Sequence, residues 1–286
     1  MAINPHDIDF MTALCKMSVS AGRLLMQHHN VEGVAHESKA DKSPVTQADR
    51  DAETYLTKEL QALAPTIQII GEEACEIALP DHIAPHFFLI DPLDGTRDFI
   101  VGGKDFTVNI GLISGTKPIA GVIYAPAHEV LYFSGQADAY RMALAPDTND
   151  FTLAAATALR TSPTPEKVKV LASRVHRSKE TEAFIETLDV EDFVPASSSY
   201  KFCLLADGTA DIYPRHGRTM EWDTAAGHAI VNAAGGAVTR TDGSCFDYGK
   251  LAEGLANPSF IATAHKDWHN NIQEETKTND SPHKDN

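Results

Sequence analysis

The chain has 286 residues, 43% hydrophobic and 22% charged, which is enough to bury a sizeable core and excludes a largely disordered or fibrous chain. Its net charge of −16, from 24 Lys and Arg against 40 Asp and Glu, argues against holding nucleic acid by general phosphate neutralisation. A phosphorylated ligand would need local positive charge or bound cations.

From Asp7 to His28 the residues Phe10, Leu14, Met17, Ala21 and Leu24 recur at helical spacing and predict one buried helix face. Asp7 and Asp9 stand where a signal peptide is basic, and no apolar run approaches the ~18 residues of a membrane span. The cysteines at 15, 75, 203 and 245 are widely spaced, which fits reduced thiols in a cytoplasmic protein. After a polar loop ending at Pro44, Thr46-Gln47-Ala48-Asp49 resembles a capping box and opens a helix running to about Leu63.

Ile67 to Ile70 and Phe87 to Ile90 read as buried strands that stop at carboxylates, Glu72-Glu73 and Asp91 to Asp94. Phe106 to Ile113, Ile119 to Tyr124 and Val130 to Phe133 continue a sheet. Residues 142 to 166, rich in Ala, Thr and Pro, mark a change of half. Beyond it lie a strand at Val168 to Ala172, helices at Lys179 to Leu188 and Tyr200 to Ala206, and a strand at Ala210 to Tyr213. A small-residue helix from Asp223 to Ala234 stops at Gly235-Gly236. This divides the chain into an N-terminal α+β half (1–150) with most candidate metal ligands and a C-terminal α/β half (151–268) with Asp223. A polar tail (269–286) is expected to be disordered.

In Asp91-Pro92-Leu93-Asp94-Gly95-Thr96, two carboxylates three residues apart flank a tight turn where both can converge. Hard oxygen ligands suit Mg²⁺, and Gly95 and Thr96 would offer N–H groups to an anion if a helical turn starts there. Alone, the string is equally a polar turn, and Asp223 alone reads as a helix cap. Acids at the ends of three separate elements favour a shared site.

With Asp91 to Thr96 and Trp222-Asp223-Thr224-Ala225-Ala226-Gly227 in hand, the chain resembles the inositol monophosphatase superfamily, from its first helix to about residue 264. The resemblance implies a layered αβαβα sugar-phosphatase fold, an α/β (α+β) architecture of two sub-domains. It implies two Mg²⁺, with a weaker third near Glu72. One ion would be held by Glu72, Asp91 and the Leu93 carbonyl, the other by Asp91, Asp94 and Asp223. A phosphate dianion repels hydroxide, so cations that neutralise it allow direct attack by water. Thr96 and Glu72, with Asp49 behind them, would orient and deprotonate that water.

Within the superfamily the chain is similar to bacterial 3′(2′),5′-bisphosphate nucleotidases of the CysQ type, which cut adenosine 3′,5′-bisphosphate to AMP and belong to sulfur metabolism. The likeness rests on Ser173-Arg174-Val175-His176, Ser198-Ser199-Tyr200-Lys201-Phe202, Tyr213-Pro214-Arg215, and Phe106 to Ile110 with Tyr124-Ala125-Pro126. Lys201 and Arg215 would pair with the uncut phosphate, and Ser198 and His176 would hydrogen-bond ribose or phosphate oxygens. Glu72, Leu93, Asp94, Gly95, Thr96 and Asp223 would face the scissile group. Two departures are Gly71 for a usual serine and Ser197 for a glycine, and His216 to Glu221 is unexpectedly charged. The expected partner is a small phosphorylated nucleotide, with no nucleic acid and no stable protein partner. Bacterial relatives also suggest loose contact with the cytoplasmic face of the inner membrane. The alternatives are a phosphatase of the same fold acting on inositol or another sugar phosphate, and a non-catalytic metal- and phosphate-binding regulator.

Overall fold

The structure is a computed structural model that describes residues 4, 7–29, 36–38, 44–135, 137–161, 165–172 and 178–266. The segment holding His176 and the 269–286 tail lie outside the described residues.

Helix α1 (Ile8–His29) buries Leu14, Met17 and Ala21 of the expected stripe, while Phe10 and Leu24 are only partly buried and the neighbouring Leu25 is buried instead. A two-stranded ribbon follows, β1 (His36–Ser38) against β2 (Pro44–Thr46). Helix α2 (Gln47–Leu63) starts at the expected capping box, where Thr46 Oγ1 accepts from Ala48 N at 3.1 Å and Asp49 Oδ2 from Thr46 N at 2.8 Å. Next come β3 (Gln68–Gly71), the short helix α3 (Glu72–Ile77), β4 (His86–Asp94) and the short helix α4 (Thr96–Ile100). Strands β5 (Thr107–Ser114), β6 (Lys117–Ala125), β7 (Val130–Ser134), β8 (Ala139–Ala143) and β9 (Thr157–Leu159) complete a seven-stranded sheet in chain order. Only its β3–β4 pair is parallel.

The second half runs β10 (Val168–Ala172), α5 (Lys179–Ile185), β11 (Val190–Pro195), α6 (Tyr200–Ala206), β12 (Ile212–Arg215), α7 (Glu221–Ala234), β13 (Ala237–Arg240) and β14 (Phe260–Thr263). Its sheet has five strands in the order β11-β10-β12-β14-β13. The expected helix over Lys179 to Leu188 ends three residues earlier, at Ile185, and α7 starts two residues earlier, at Glu221.

The layers follow from which face each element buries. Phe88 and Ile90 of β4 join α1 and α2 in one apolar core, while Phe87 and Leu89 point the other way into a core shared with α6, α7 and the second sheet. Residues buried on both faces explain why β4 is apolar without alternation. A third cluster, Val170, Ile185, Ile212 and Ile261, seats α5 on the outer face of the second sheet. The result is the αβαβα sandwich.

Helix α7 lies close on the first sheet because Gly111 and Gly121 face it. A Cβ at Gly121 would stand 2.3 Å from the Ala226 carbonyl oxygen, and one at Gly111 would stand 2.6 Å from the Ala225 Cβ. No helix among the described residues is long and apolar enough to cross a membrane.

Candidate active site

In a regular strand, residues three apart face opposite sides. Asp91 stands opposite Asn109 and Asp94 opposite Thr107, so Pro92 and Leu93 face Val108 alone. This one-residue bulge turns both carboxylates to the same end of β4. Leu93 N donates to Asp91 Oδ1 at 3.0 Å, fixing the turn. The Thr96 hydroxyl, in the first turn of α4, lies 3.3 Å from Asp49 Oδ1 and 3.1 Å from the Leu93 carbonyl oxygen. Asp49 is buried, and its other oxygen is fixed by Thr46 Oγ1 at 2.6 Å as well as by Thr46 N.

Glu72 is the first residue of α3, a helix whose start is built by a distant acid. Glu53 on α2 accepts from Glu73 N and Ala74 N, each at 2.8 Å, and so caps α3 from another helix. Gly71 makes room for this, since a Cβ there would stand 2.6 Å from the Glu53 Cδ.

Asp223 comes from the opposite wall, in the first turn of α7, where its Oδ2 accepts from Met220 N at 2.8 Å. The cap expected of it in isolation is thus real and uses one oxygen. Ser199 joins the walls. Its N–H donates to Asp94 Oδ2 at 2.6 Å, and its hydroxyl reaches both that oxygen and the Asp223 carbonyl. Buried Asn109 on β5 donates to Ser199 Oγ at 3.0 Å, which leaves the serine proton to be given onward. The neighbouring Ser198 adopts φ +58°, a conformation costly for a residue with a side chain, and its hydroxyl meets Thr107 Oγ1 at 2.9 Å.

Burial pushes the Asp91 carboxyl well above the usual carboxylate range, with Glu72, Asp94 and Asp223 adding to the shift. Asp223 is raised by desolvation and then by Asp94 and Glu72, against smaller lowering effects from Met220 N and Arg215. These acids line one cavity of about 490 Å³, together with Glu76, Leu93, Gly95, Thr96, Arg218, Thr219, Met220 and Trp222.

Among the described residues, no group of three or more His, Cys, Asp or Glu side chains stands ready to hold a metal ion. The reason is visible in the bonds. Asp91, Asp94 and Asp223 each spend an oxygen on backbone N–H groups, and Glu72 lies close enough to Asp91 to raise its pKa further, after burial itself. The chemistry of the donors nonetheless fits a hard divalent cation. All are oxygens, and the principal influences on buried Asp91 all disfavour its charge, a situation a cation relieves.

The site therefore brings together Asp49, Glu72, Asp91, Leu93, Asp94, Gly95, Thr96 and Asp223. Ser198 lies one residue from its rim bond at Ser199. Lys201 is set back from it: the side chain is buried, with Nζ 3.3 Å from the Ser198 carbonyl oxygen and 5.0 Å from the Tyr213 ring centroid. Arg215 donates from Nη2 to the Arg218 carbonyl at 3.5 Å, near enough to Asp223 to lower its pKa. Sequence reading missed Glu53, Ser199, Asn109, Glu76 and Arg218 as contributors. Ser199 and Asn109 sit inside motifs already singled out, but their roles depend on a contact 90 residues apart in the chain.

Beside the cavity, Glu221 is fully buried and bound by Gly249 N at 2.7 Å, Lys250 N at 2.9 Å and Lys250 Nζ at 2.6 Å. Asn257 completes this network, donating from Nδ2 to the Met220 carbonyl at 2.6 Å and to Thr219 Oγ1 at 3.2 Å.

Two α/β layers closed over a carboxylate-lined cavity at strand and helix ends define a class of protein, and comparison with known proteins places the chain within it. Residues 7–280 match the inositol monophosphatase family, and the chain belongs to that family. It is 36% identical over 251 residues to the 3′(2′),5′-bisphosphate nucleotidase CysQ of Salmonella typhimurium, covering 87% of this chain and 98% of the relative. A CysQ of Escherichia coli K12 is 36% identical over 248 residues, covering 86% of this chain and 96% of the relative. The crystal structure of CysQ from Bacteroides thetaiotaomicron superposes with a TM-score of 0.76 at 33% identity, covering 91% of this chain and 98% of that one.

Proposed function

We propose that the chain is a magnesium-dependent phosphomonoesterase that removes the 3′-phosphate of adenosine 3′,5′-bisphosphate, releasing AMP and phosphate. The observation that carries this reading is the Asp49–Thr96 contact at the edge of a five-carboxylate cavity, in a chain so similar to CysQ nucleotidases. Mere ion binding would not require that pair.

Glu72, Asp91 and the Leu93 carbonyl would hold one ion, and Asp91, Asp94 and Asp223 a second. Magnesium, when bound, supplies neutralisation of the phosphate dianion. The chain does the rest. Asp49 accepts the Thr96 hydroxyl proton, which turns the Thr96 lone pairs toward the cavity to accept from the attacking water. Glu72 takes that water's proton. Gly95 and Thr96 offer backbone N–H groups to the phosphoryl oxygens at the start of α4. Ser199 keeps Asp94 and the Asp223 backbone in register, so the carboxylates of both walls meet one substrate. Ser198, Lys201 and Arg215 form the side that receives ribose and the second phosphate, and His176 is assigned to the same task. Such an enzyme would work in the cytoplasm, recycling the nucleotide left by sulfate assimilation.

The test is phosphate release from adenosine 3′,5′-bisphosphate and inositol 1-phosphate, with and without magnesium. Turnover should require the metal and favour the nucleotide in kcat/KM. A higher kcat/KM for inositol 1-phosphate would overturn the nucleotide assignment and leave the phosphatase reading standing.

A further inference from the structure

The cavity is walled by five carboxylates, Glu72, Glu76, Asp91, Asp94 and Asp223, and a single cationic side chain lines it among the described residues, Arg218. Although these acids are its neighbours, the Arg218 guanidinium makes no hydrogen bond or ion pair with the described protein. Among the described residues its polar link is through its main chain, where the carbonyl oxygen accepts from Arg215 at 3.5 Å. Arginine at a cluster of acids ordinarily forks onto one of them. This one is exposed and uncommitted.

Its backbone, by contrast, leads into a fixed segment. Asn257 N donates to the Thr219 carbonyl at 2.9 Å, Asn257 Nδ2 holds Met220, and Glu221 N donates to the Leu255 carbonyl at 2.9 Å. The guanidinium is thus carried on an anchored base beside the cavity. The other cations on this side, Lys201 and Arg215, do not line the cavity. Lys201 is bonded to the Ser198 carbonyl and lies over Tyr213, and Arg215 reaches the Arg218 carbonyl through Nη2 while its buried Nε has no partner among the described residues.

We propose that Arg218 is a specificity-determining residue that grips the second, uncut phosphate of the substrate, with Lys201 and Arg215 supplying positive potential from behind it. A guanidinium fork matches a phosphate dianion, and in a chain of charge −16 such a contact has to be provided locally. The inference rests on the bisphosphate reading above and adds the residue that would make a second phosphate count. It also gives a role to the charged His216 to Glu221 stretch that the motif comparison left without one.

The experiment is steady-state kinetics with magnesium on adenosine 3′,5′-bisphosphate and adenosine 3′-monophosphate, which share the scissile group and differ in the second phosphate. Wild type, Arg218→Gln and Arg218→Lys are compared, with melting temperatures as a folding check. Wild type should prefer the bisphosphate, and Arg218→Gln should lower that preference by about 10- to 100-fold, chiefly through KM, the worth of a charged hydrogen-bonded contact. Arg218→Lys should restore part of it, because the charge returns without the fork. The melting temperature should stay put, since the side chain is exposed and makes no hydrogen bond or ion pair with the described residues. A wild type with no preference for the bisphosphate would overturn the underlying reading and this inference together. A wild-type preference that survives intact in Arg218→Gln would overturn the assignment of Arg218 alone, as would an equal loss on both substrates, which would put Arg218 on the scissile phosphate.

Discussion

Glu221 and Asp223 sit two residues apart in the first turn of α7, yet the fold treats their charges in opposite ways. Glu221 meets two backbone N–H groups and an ammonium, so its burial is fully compensated. Asp223 receives one backbone N–H, and burial, then Asp94 and Glu72, push its proton affinity up against a smaller opposing effect of Arg215. A protein interested only in stability would have treated both like Glu221. The difference separates a charge that holds the structure together from one kept ready for a ligand.

The contrast is broken most severely at Asp91, the most crowded acid of the cavity. Asp91→Asn should lower magnesium-dependent phosphate release by on the order of 10³-fold or more, because it removes an oxygen assigned to both ions. It should leave the metal-free melting temperature unchanged or higher, since one of several repelling acids is gone. Calorimetry with and without magnesium reads the second half, and comparable residual turnover would put the chemistry elsewhere.

Across the divide, Lys250→Met should be harmful for the opposite reason. It strands Glu221 without its cation in a buried site and should cost about 3–5 kcal/mol of stability in denaturant unfolding. Adding Glu221→Gln should recover much of the loss, because the neutral amide leaves no unpaired charge and keeps an oxygen to accept from Gly249 N or Lys250 N. No recovery would mean that the pair contributes packing rather than charge.

A smaller effect comes from His228, in the same compensated region. Burial pushes its ring down to about 3, while Nδ1 lies 3.0 Å from the Tyr248 hydroxyl. The unfolded chain takes up this proton near pH 6.5 and the folded chain does not until about pH 3. Between those values the unfolded state binds more protons, so acidification destabilises the fold by up to about 1.4 kcal/mol per pH unit from this group. His228→Gln should flatten the wild-type slope between about pH 6 and pH 4 in parallel unfolding curves. Identical slopes would show the histidine to be charged in the folded protein.

How much of this could be read in advance depends on the range of the interactions involved. Helices α1 and α2, the capping box at Thr46 and Asp49, and α6 from Tyr200 to Ala206 are local patterns, and the sequence carries them almost to the residue. Helix α3 was hidden because its cap is Glu53, 20 residues away, so Glu72 read only as the end of a strand. Strand β11 was hidden because Glu191 and Asp192 interrupt its apolar pattern at an exposed sheet edge, and β9, β13 and β14 are only three or four residues long. The acids of the cavity were legible because their motifs are long and specific. The groups that aim them, Ser199, Asn109 and Glu53, act across the fold and leave no mark at any one position. Lys201 is a mixed case, since its motif is evident in the sequence while the burial of its side chain and the contact of Nζ with the Ser198 carbonyl are not.

The close seat of α7 on Gly111 and Gly121 has a consequence for the whole molecule. Asp223 rides on that helix and Asp91 on a strand of the sheet beneath, so the gap between the two walls is gauged by hydrogen atoms far from any ligand. A single methyl group at position 121 would act as a wedge, lifting one wall away from the other and spoiling the jaw at its hinge while every acid in it stayed intact.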